Sequence, residues 1–403
     1  MRKDLLLILI SCLFTNFLYA QKAPINQFAS IDKKAALIPG TATKSTQSIA
    51  EFINTNFTTS NEKVRAAFIW VASNLEYDVD NMYAINYYET DSDKISKALA
   101  TGKGICENYA AIFNDICSKC NIKSFLVEGY TKQNGFTDYI PHAWCAAYVD
   151  TAWYLFDPTW GSGYVSNGKF YKRINNIYFK AQPSLFIKDH MPFDYLWQFL
   201  NYPLSNAEFY AGKIVSNTSK PYFDYKDSIN TYEHLNHVDQ LTAEARRIET
   251  NGLKNSMIFD RYQHIKIDLE NEKIIAQNAR QNLITNFYNA SLIDYNIAIK
   301  DFNDFIDYRN HKFSPEKTDE AIKAMLDSVT SRINTAKKNL NQISNAQASD
   351  QKIIDQLKDA ITDLEKHERE QQDWLTLYLS RSRSKRKLMF YEKKTTWFGV
   401  PLN

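Results

Sequence analysis

Glycine is almost absent from the second half of this chain. Of the 11 glycines, only Gly252 and Gly399 lie beyond Thr231, where lysine, glutamate, glutamine and asparagine alternate with spaced aliphatic residues. A long segment of this kind favours helix, because it lacks the residue that, after proline, is most costly in a helix. We therefore predict a helical arm over residues 231–380, formed by a helical bundle or a coiled coil.

A seven-residue repeat supports this prediction. Its positions are Tyr262, Leu269, Ala276, Leu283, Ala290 and Ile297. Largely apolar residues with this period predict a seam along which one helix packs against another. Residues 311–315 end the helix, because Ser314 can cap a new helix whose first turn accepts Pro315. A helix over residues 315–379 is expected to return antiparallel to the first, and the arm is expected to bind a partner or to self-associate.

The first half of the chain predicts a different kind of domain. Residues 45–207 combine short apolar runs, aromatic residues and most of the glycines, which is typical of an α+β domain. Its first helix is predicted over residues 61–75. The residues on the apolar face of that helix are Val64, Ala67, Phe68 and Val71. Residues 21–44 and 208–230 are predicted as linkers on either side of the domain.

The N-terminal residues predict export. Two basic residues precede an apolar run over residues 5–18, which closes on Ala20. The run is shorter than the roughly 20 residues that a membrane-spanning helix needs. We predict a signal peptide over residues 1–20 and a location in the periplasm, the cell envelope or the extracellular space. A lipoprotein that carries its lipid on Cys12 is the alternative.

Overall charge gives little indication of a charged partner. Lysine and arginine total 48, and aspartate and glutamate total 46. This balance argues against a nucleic-acid partner. Positive charge is concentrated in the basic tail, residues 381–403. Such a tail suits contact with an anionic lipid or cell-wall polymer, or it is a solvated helix end that complements the helix dipole.

The cysteines do not predict a metal site. Beyond the signal peptide the chain has Cys106, Cys117, Cys120 and Cys145. If Cys106 is catalytic, an odd number remains, which permits at most one disulfide of undetermined pairing. Cys117 and Cys120 form a lone C-x-x-C without a second ligand pair, so we predict neither a metal nor a cofactor.

Cys106 is predicted to begin a helix. Gly102 and Gly104 precede it and allow a tight turn. The apolar face that follows comprises Tyr109, Ile112, Phe113, Ile116 and Cys120. The unpaired N–H groups and the positive dipole end of a helix N-terminus stabilise a thiolate, so Cys106 is a candidate nucleophile.

A histidine and an aspartate are predicted to meet on one β-hairpin. Residues 142–149 and 153–157 form two strand-like runs around Asp150 and Thr151. With a two-residue loop, His142 lies diagonal to Asp157 on the same face, within side-chain reach. A three-residue loop would change this facing. A cysteine nucleophile needs a base whose imidazole is held by a third group, and Cys106, His142 and Asp157 can fill these roles.

These residues lie in stretches that resemble a known family. The stretches are Gly-Ile-Cys-Glu-Asn-Tyr-Ala at 104–110, His-Ala-Trp at 142–144 and Trp-Tyr-Leu-Phe-Asp-Pro-Thr-Trp at 153–160. Together they resemble the transglutaminase-like superfamily, which has a papain-related fold, and in particular its bacterial and kyphoscoliosis-peptidase-like branch. Residues 70–78 resemble the helix that usually precedes them.

The resemblance implies both a fold and a chemistry. It implies a Cys-bearing helix packed on an antiparallel sheet whose neighbouring strands carry the His and the Asp. It also implies a thioester intermediate on Cys106, with the Cys106 N–H as one oxyanion donor. An upstream aromatic residue, Trp70 or Tyr77, is the candidate for the second donor.

Two classes of function follow. The first is an active cysteine peptidase, amidase or amine transferase that acts on protein or cell-wall peptides. Hydrolysis and amine transfer share the acyl-enzyme and differ only in the nucleophile that resolves it. The second is a non-catalytic scaffold, in which the domain binds peptide and the helical arm assembles with a partner.

Overall fold

A computed structural model describes residues 26–86, 88–133 and 135–391 of the protein. The predicted signal peptide, Cys12 and the last 12 residues of the basic tail, from residue 392, lie outside these residues. Within the described ranges, no helix combines the length and the apolar character that a membrane crossing requires. The chain divides into two compact units, one ending at Leu269 and the other beginning at Glu270. The limits predicted from sequence for the domain, the linkers and the arm remain predictions.

Among the described residues of the first unit, five α-helices precede the main sheet. They are α1 (Ala29–Ala35), α2 (Thr46–Asn56), α3 (Ser60–Asn74), α4 (Asp91–Thr101) and α5 (Cys106–Lys119). The helix predicted over residues 61–75 is confirmed as α3. It begins at Ser60 because Thr59 caps it: the Glu62 N–H donates to the Thr59 hydroxyl, and the Glu62 carboxylate accepts from the Thr59 N–H.

Helix α1 lies in a segment that was predicted to be a linker. Phe28, Ile31 and Ala35 join the same core as α3. The fully buried Arg65 of α3 donates two hydrogen bonds, of 2.7 and 2.8 Å, to the Asp32 carboxylate. This bidentate pair anchors α1 to the domain, and a helix of only two turns gives too short a pattern to recognise in the sequence.

Nine strands are present in the described part of the first unit. They are β1 (Glu76–Tyr77), β2 (Lys103–Gly104), β3 (Ser124–Gln133), β4 (Phe136–Thr137), β5 (His142–Val149), β6 (Ala152–Phe156), β7 (Gly163–Ser166), β8 (Lys169–Lys172) and β9 (His190–Pro192). The main sheet is antiparallel with strand order β4-β3-β5-β6, and β9 also pairs with β3. The combination of α-helices with an antiparallel sheet confirms the predicted α+β class.

Strand β5 is the centre of the domain core. Alternate residues of β5, among them Ala143 and Cys145, pack in the cluster formed with α3 and α5. The residues between them, Trp144 and Ala146, pack on the other face against Leu155 and other apolar residues. Because both faces are buried, the strand reads as a nearly continuous apolar run.

The β5-β6 hairpin has the register that the sequence predicted. Val149 lies opposite Ala152 and Cys145 opposite Phe156, which leaves a two-residue turn. Asp150 in this turn has a φ of 60°, a conformation that short polar residues tolerate. Trp144 is therefore the position that faces Asp157, and His142 is its diagonal neighbour.

The remaining helices follow the sheet. They are α6 (Pro183–Phe186), α7 (Asn206–Tyr210), α8 (Tyr225–His234), α9 (His237–Asn251), α10 (Ser256–Asn310), α11 (Asp319–Leu340), α12 (Ala348–Ser380) and α13 (Arg383–Met389). The predicted end of the long helix is confirmed, since α10 stops at Asn310 and Lys312 and Phe313 have positive φ. The single return helix predicted over residues 315–379 is wrong. It is two helices, α11 and α12, separated by residues 341–347, in which Asn345 has a positive φ.

In the second unit, the seam predicted along α10 is displaced by one residue from the buried one, whereas Tyr262 and Leu269 of the predicted seam pack against a core of the first unit. Ala276 is exposed and Leu283 is 57 % exposed, which excludes both from a packed seam. The residues that are buried at the same seven-residue spacing are Ile284, Ser291, Ala298 and Phe305. Ser291 hid this stripe because it is polar, and its hydroxyl donates a 2.8 Å hydrogen bond to the Ala336 carbonyl.

The described part of the basic tail is partly bound within the second unit. Arg386 donates hydrogen bonds of 2.6 and 2.7 Å to the Asp319 carboxylate. Met389 is buried in a cluster that includes Phe305 and Leu375. Contact of the tail with an anionic surface therefore remains a prediction for its other charges.

Candidate active site

Cys106 is the first residue of α5, as the sequence predicted. Gly102, with a φ of 70°, ends α4 and lets the chain turn toward the new helix. Asn108 then fixes the helix start: its Oδ1 accepts from the Ile105 N–H at 2.8 Å, and its Nδ2 donates to the Lys94 carbonyl at 3.0 Å. The thiol is thereby held at a helix N-terminus and lines a cavity of about 690 Å³.

His142 lines the same cavity and is hydrogen-bonded to Asp157. Its Nε2 lies 2.9 Å from Asp157 Oδ2. The Cys106 Sγ lies 4.0 Å from the carbonyl oxygen of Pro141, the residue before His142. Because His142 Nε2 is engaged with Asp157, Nδ1 is the ring nitrogen that is left to serve the Cys106 thiol. The structure therefore brings the three predicted residues together.

The Asp157 carboxylate is fully buried and accepts four hydrogen bonds. Oδ1 accepts from the backbone N–H groups of Thr159 and Trp160, at 2.8 and 3.0 Å. Oδ2 lies 2.9 Å from His142 Nε2 and 3.1 Å from His190 Nε2. An ionised carboxylate has about four lone-pair sites, so this one is saturated.

A glycine shapes the turn that carries Asp157. The Gly161 N–H donates to the Asp157 carbonyl at 2.9 Å. A Cβ on Gly161 would lie 2.4 Å from the Phe68 ring and 2.8 Å from that carbonyl oxygen. Only glycine therefore fits here. The tight turn directs the N–H groups of Thr159 and Trp160 at the Asp157 carboxylate.

Comparison with known proteins agrees with this geometry. Residues 47–158 match the family model described as the transglutaminase-like superfamily. This part of the chain is a transglutaminase-like domain. Cys106, His142 and Asp157 all lie within it.

Three curated relatives match part of this chain. Kyphoscoliosis peptidase of Mus musculus is 37% identical over 156 residues, covering 37% of this chain and 23% of the relative. Kyphoscoliosis peptidase of Homo sapiens is 33% identical over 193 residues, covering 46% of this chain and 28% of the relative. Hillarin of Drosophila melanogaster is 24% identical over 203 residues, covering 45% of this chain and 24% of the relative. The aligned region thus spans about a quarter of each relative.

A solved crystal structure of a TGase also aligns with this chain. The alignment covers 39% of this chain and 37% of the TGase, with 18% identity and a TM-score of 0.23.

The buried imidazole and carboxylate carry opposite charges. Burial alone would lower the pKa of His142, but the charge and hydrogen bond of Asp157, with the Cys106 thiol beside it, raise that pKa from 6.5 to about 10. Burial alone would raise the pKa of Asp157, but His142 and then His190 hold it well below its ordinary value. The site is therefore arranged to stabilise an imidazolium beside a carboxylate.

This pair predicts how stability changes with pH. Because the pKa of His142 in the folded protein is raised above 6.5, its contribution to stability is fully present below pH 6.5 and is lost as the pH rises toward about 10. The free energy of unfolding of the wild type should exceed that of His142→Gln by an amount that shrinks across this window. A difference that stays constant from pH 6.5 to 10 would contradict the ion pair.

The two aromatic candidates for an oxyanion donor differ in position. Tyr77 lines the cavity together with Cys106 and His142. Trp70 is 4 % exposed and packs in the domain core. Burial, followed by the nearby Cys106 and Asp157, raises the pKa of the Tyr77 hydroxyl, so that it stays protonated and able to donate.

The other cysteines are separate from the site. Cys117, Cys120 and Cys145 are buried and unpaired, as is Cys106. Burial raises the pKa of Cys120 to about 11 and those of Cys117 and Cys145 well above the ordinary value. These three thiols are therefore kept protonated and unreactive.

Sequence reasoning missed His190. Its strand begins 33 residues after Asp157, and β9 pairs with β3 rather than with β6. The sheet curls, so the strand next to β3 and the residue after β6 meet. A histidine directly after Asp189 was the only signal in the sequence, and it does not reveal a contact that depends on sheet curvature.

His142, Asp157 and His190 lie close enough together to be candidate ligands of a metal ion. Within the described ranges, one ligand atom from each of His142, Asp157 and His190 lies within 4.8 Å of the others. Those atoms are already joined by the hydrogen bonds described above, and a metal would have to replace both N–H protons. The hydrogen-bonded network accounts for the cluster without a metal.

Proposed function

We propose that this protein catalyses thiol-dependent acyl transfer from peptide or carboxamide substrates. The observation that carries the proposal is the shared cavity, in which a helix-start thiol and an imidazole held by a buried carboxylate face the same space. This is the arrangement that a cysteine nucleophile requires.

The reaction divides into two steps. The Cys106 thiolate attacks the carbonyl carbon, and His142 gives a proton to the departing amine as the thioester forms. Water or a second amine then attacks the thioester, giving its proton to His142 while the Cys106 thiolate leaves. Asp157 holds the imidazole and stabilises its charged form throughout.

Two donors are suited to the oxyanion that forms in each step. The N–H groups in the first turn of a helix have no intrahelical acceptor, so the Cys106 N–H is available. The Tyr77 hydroxyl reaches the same cavity, whereas Trp70 belongs to the core. We therefore assign the second donor to Tyr77.

The cavity walls suit a peptide. The volume of the cavity, about 690 Å³, is within the range of protein sites that bind small ligands. Tyr83 and Tyr139 line it and are 75 % and 95 % exposed, and Tyr164 lines it at 52 %. Exposed aromatic rings beside a nucleophile supply apolar contact area for a substrate chain at low entropic cost.

Selective alkylation tests this proposal. Iodoacetamide should modify Cys106 much faster than Cys117, Cys120 or Cys145, because only Cys106 lines the cavity and has an imidazole partner. Peptide mass spectrometry of the native protein after a short reaction measures all four sites. In Cys106→Ala the rapid labelling should vanish.

The outcome separates an enzyme from a scaffold. His142→Ala should slow alkylation of Cys106, since the thiolate then loses its imidazolium partner. If Cys106 reacts no faster than the buried cysteines, or at an unchanged rate without His142, the thiol is not activated. A peptide-binding scaffold would then be the better description.

A further inference from the structure

His190 is a buried histidine that bridges two carboxylates. Its Nε2 lies 3.1 Å from Asp157 Oδ2, and its Nδ1 lies 2.6 Å from Asp189 Oδ1. The His190 side chain has no exposed surface, whereas the Asp189 side chain is 36 % exposed and lines the cavity. Both hydrogen bonds form when each ring nitrogen donates a proton.

Packing fixes the plane of this ring. Phe186 stacks on it at 4.0 Å between centroids, and the Trp160 and Trp144 rings contact it at 4.6 and 5.2 Å in edge-to-face arrangements. The ring cannot rotate without displacing these neighbours, since protein interiors are close-packed. His190 is therefore held in a single orientation toward Asp157.

A glycine allows β9 to bring His190 to this position. Gly129 of β3 lies opposite Pro192, two residues from His190. A Cβ on Gly129 would lie 2.2 Å from the Met191 carbonyl oxygen and 2.5 Å from the Trp144 ring. The close approach of β9 to β3 depends on the missing side chain.

We propose that His190 is a positioning residue for the acyl-transfer site. His190 donates the second hydrogen bond that Asp157 Oδ2 accepts, and this oxygen is the atom that orients His142. The His190 ring is in turn oriented by its hydrogen bond to Asp189. The site thus extends from three residues to five. A hydrogen-bonded chain runs from His142 through Asp157 and His190 to Asp189, and Cys106 lines the same cavity as His142.

The mechanism rests on the proposed function. When His142 becomes charged, its bond to Asp157 Oδ2 strengthens, and an oxygen that is already held in place needs no reorganisation. Without the His190 donor, a fully buried oxygen loses one of its two partners, and the carboxylate becomes free to tilt away from His142. The described residues that line the cavity do not include His190, so substrate binding should be little affected.

Two substitutions by neutral amides test the two hydrogen bonds of His190 one at a time. In His190→Gln the amide nitrogen can occupy the place of Nε2 and donate to Asp157. In His190→Asn the shorter side chain can place its nitrogen only where Nδ1 lies, near Asp189. His190→Phe keeps the ring shape and removes both donors.

The readout is the rate constant for alkylation of Cys106 by iodoacetamide, which needs no substrate. His190→Phe and His190→Asn should react about tenfold to a hundredfold more slowly than the wild type, the effect of one hydrogen bond to a charged group. His190→Gln should recover most of that loss. The exposed His237 supplies the matched control, and His237→Gln should react like the wild type.

Asp189 gives an independent check. Asp189→Ala should slow alkylation of Cys106 when it is made in the wild type and should have little further effect when it is made in His190→Phe, because Asp189 acts through His190. Thermal unfolding of each variant shows whether the rates merely follow stability.

The outcomes are separable. If His190→Gln and His190→Asn react equally fast, if His190→Phe matches the wild type, or if the rates follow the melting temperatures alone, the inference is overturned. If Cys106 of the wild type reacts no faster than the other cysteines, the proposed function fails and this inference with it. Fast wild-type labelling that His190 substitutions leave unchanged rejects the positioning role alone.

Discussion

Cys106→Ala should reduce turnover to the uncatalysed background, and His142→Ala should reduce it by about a hundred- to ten-thousand-fold or more. The first variant removes the atom that forms the covalent bond, and the second removes the group that moves the proton. The measurement is steady-state release of p-nitrophenol from p-nitrophenyl acetate, with circular dichroism to confirm folding.

A second cysteine provides the matched control. Cys120 is buried, unpaired and does not line the cavity, and its Sγ lies 3.9 Å from the Ala50 carbonyl oxygen. Cys120→Ser keeps a donor at that position and should retain wild-type turnover. If Cys106→Ala hydrolyses the ester as fast as Cys120→Ser, the thiol of Cys106 is not the nucleophile.

Asp157→Asn should lower turnover by about four orders of magnitude while the fold stays intact. Only an oxygen can accept the Thr159 and Trp160 N–H groups, so the asparagine Oδ1 would take that side. Its NH₂ group would then face His142 Nε2, which must present a lone pair. The imidazole proton would move to Nδ1, the nitrogen that must accept the thiol proton.

A control substitution separates the loss of one negative charge from the change in the tautomer of His142. Asp150 in the β5-β6 turn offers the matched control, because Asp150→Asn makes the same chemical change outside the cavity. It should leave turnover unchanged. If Asp157→Asn loses no more turnover than Asp150→Asn, Asp157 does not set the tautomer of His142.

The sequence contained enough information to predict the local parts of the site. Cys106 at a helix start follows from two glycines and an apolar helical face. The pairing of His142 with Asp157 follows from a hairpin of known side-chain period. Each of these inferences depends on residues that are close along the chain.

The contacts that could not be predicted depend on tertiary packing. His190 reaches Asp157 through the curvature of the sheet and the close approach at Gly129. The buried stripe of α10 was misplaced by one residue because Ser291 is polar, and its partner, the Ala336 carbonyl, lies 45 residues away. Helix α1 was missed because its main anchor is Arg65, on another helix.

The central claim is that Cys106 forms an acyl-enzyme, and mass spectrometry of the protein after brief reaction with p-nitrophenyl acetate tests it directly. The Cys106 thiolate should displace p-nitrophenolate and carry one acetyl group, which water then removes as acetate. The expected result is a single acetyl group located on Cys106 by peptide mapping, absent from Cys106→Ala and longer-lived in His142→Ala. Acetylation spread over other residues, with the same yield in Cys106→Ala, would contradict the claim.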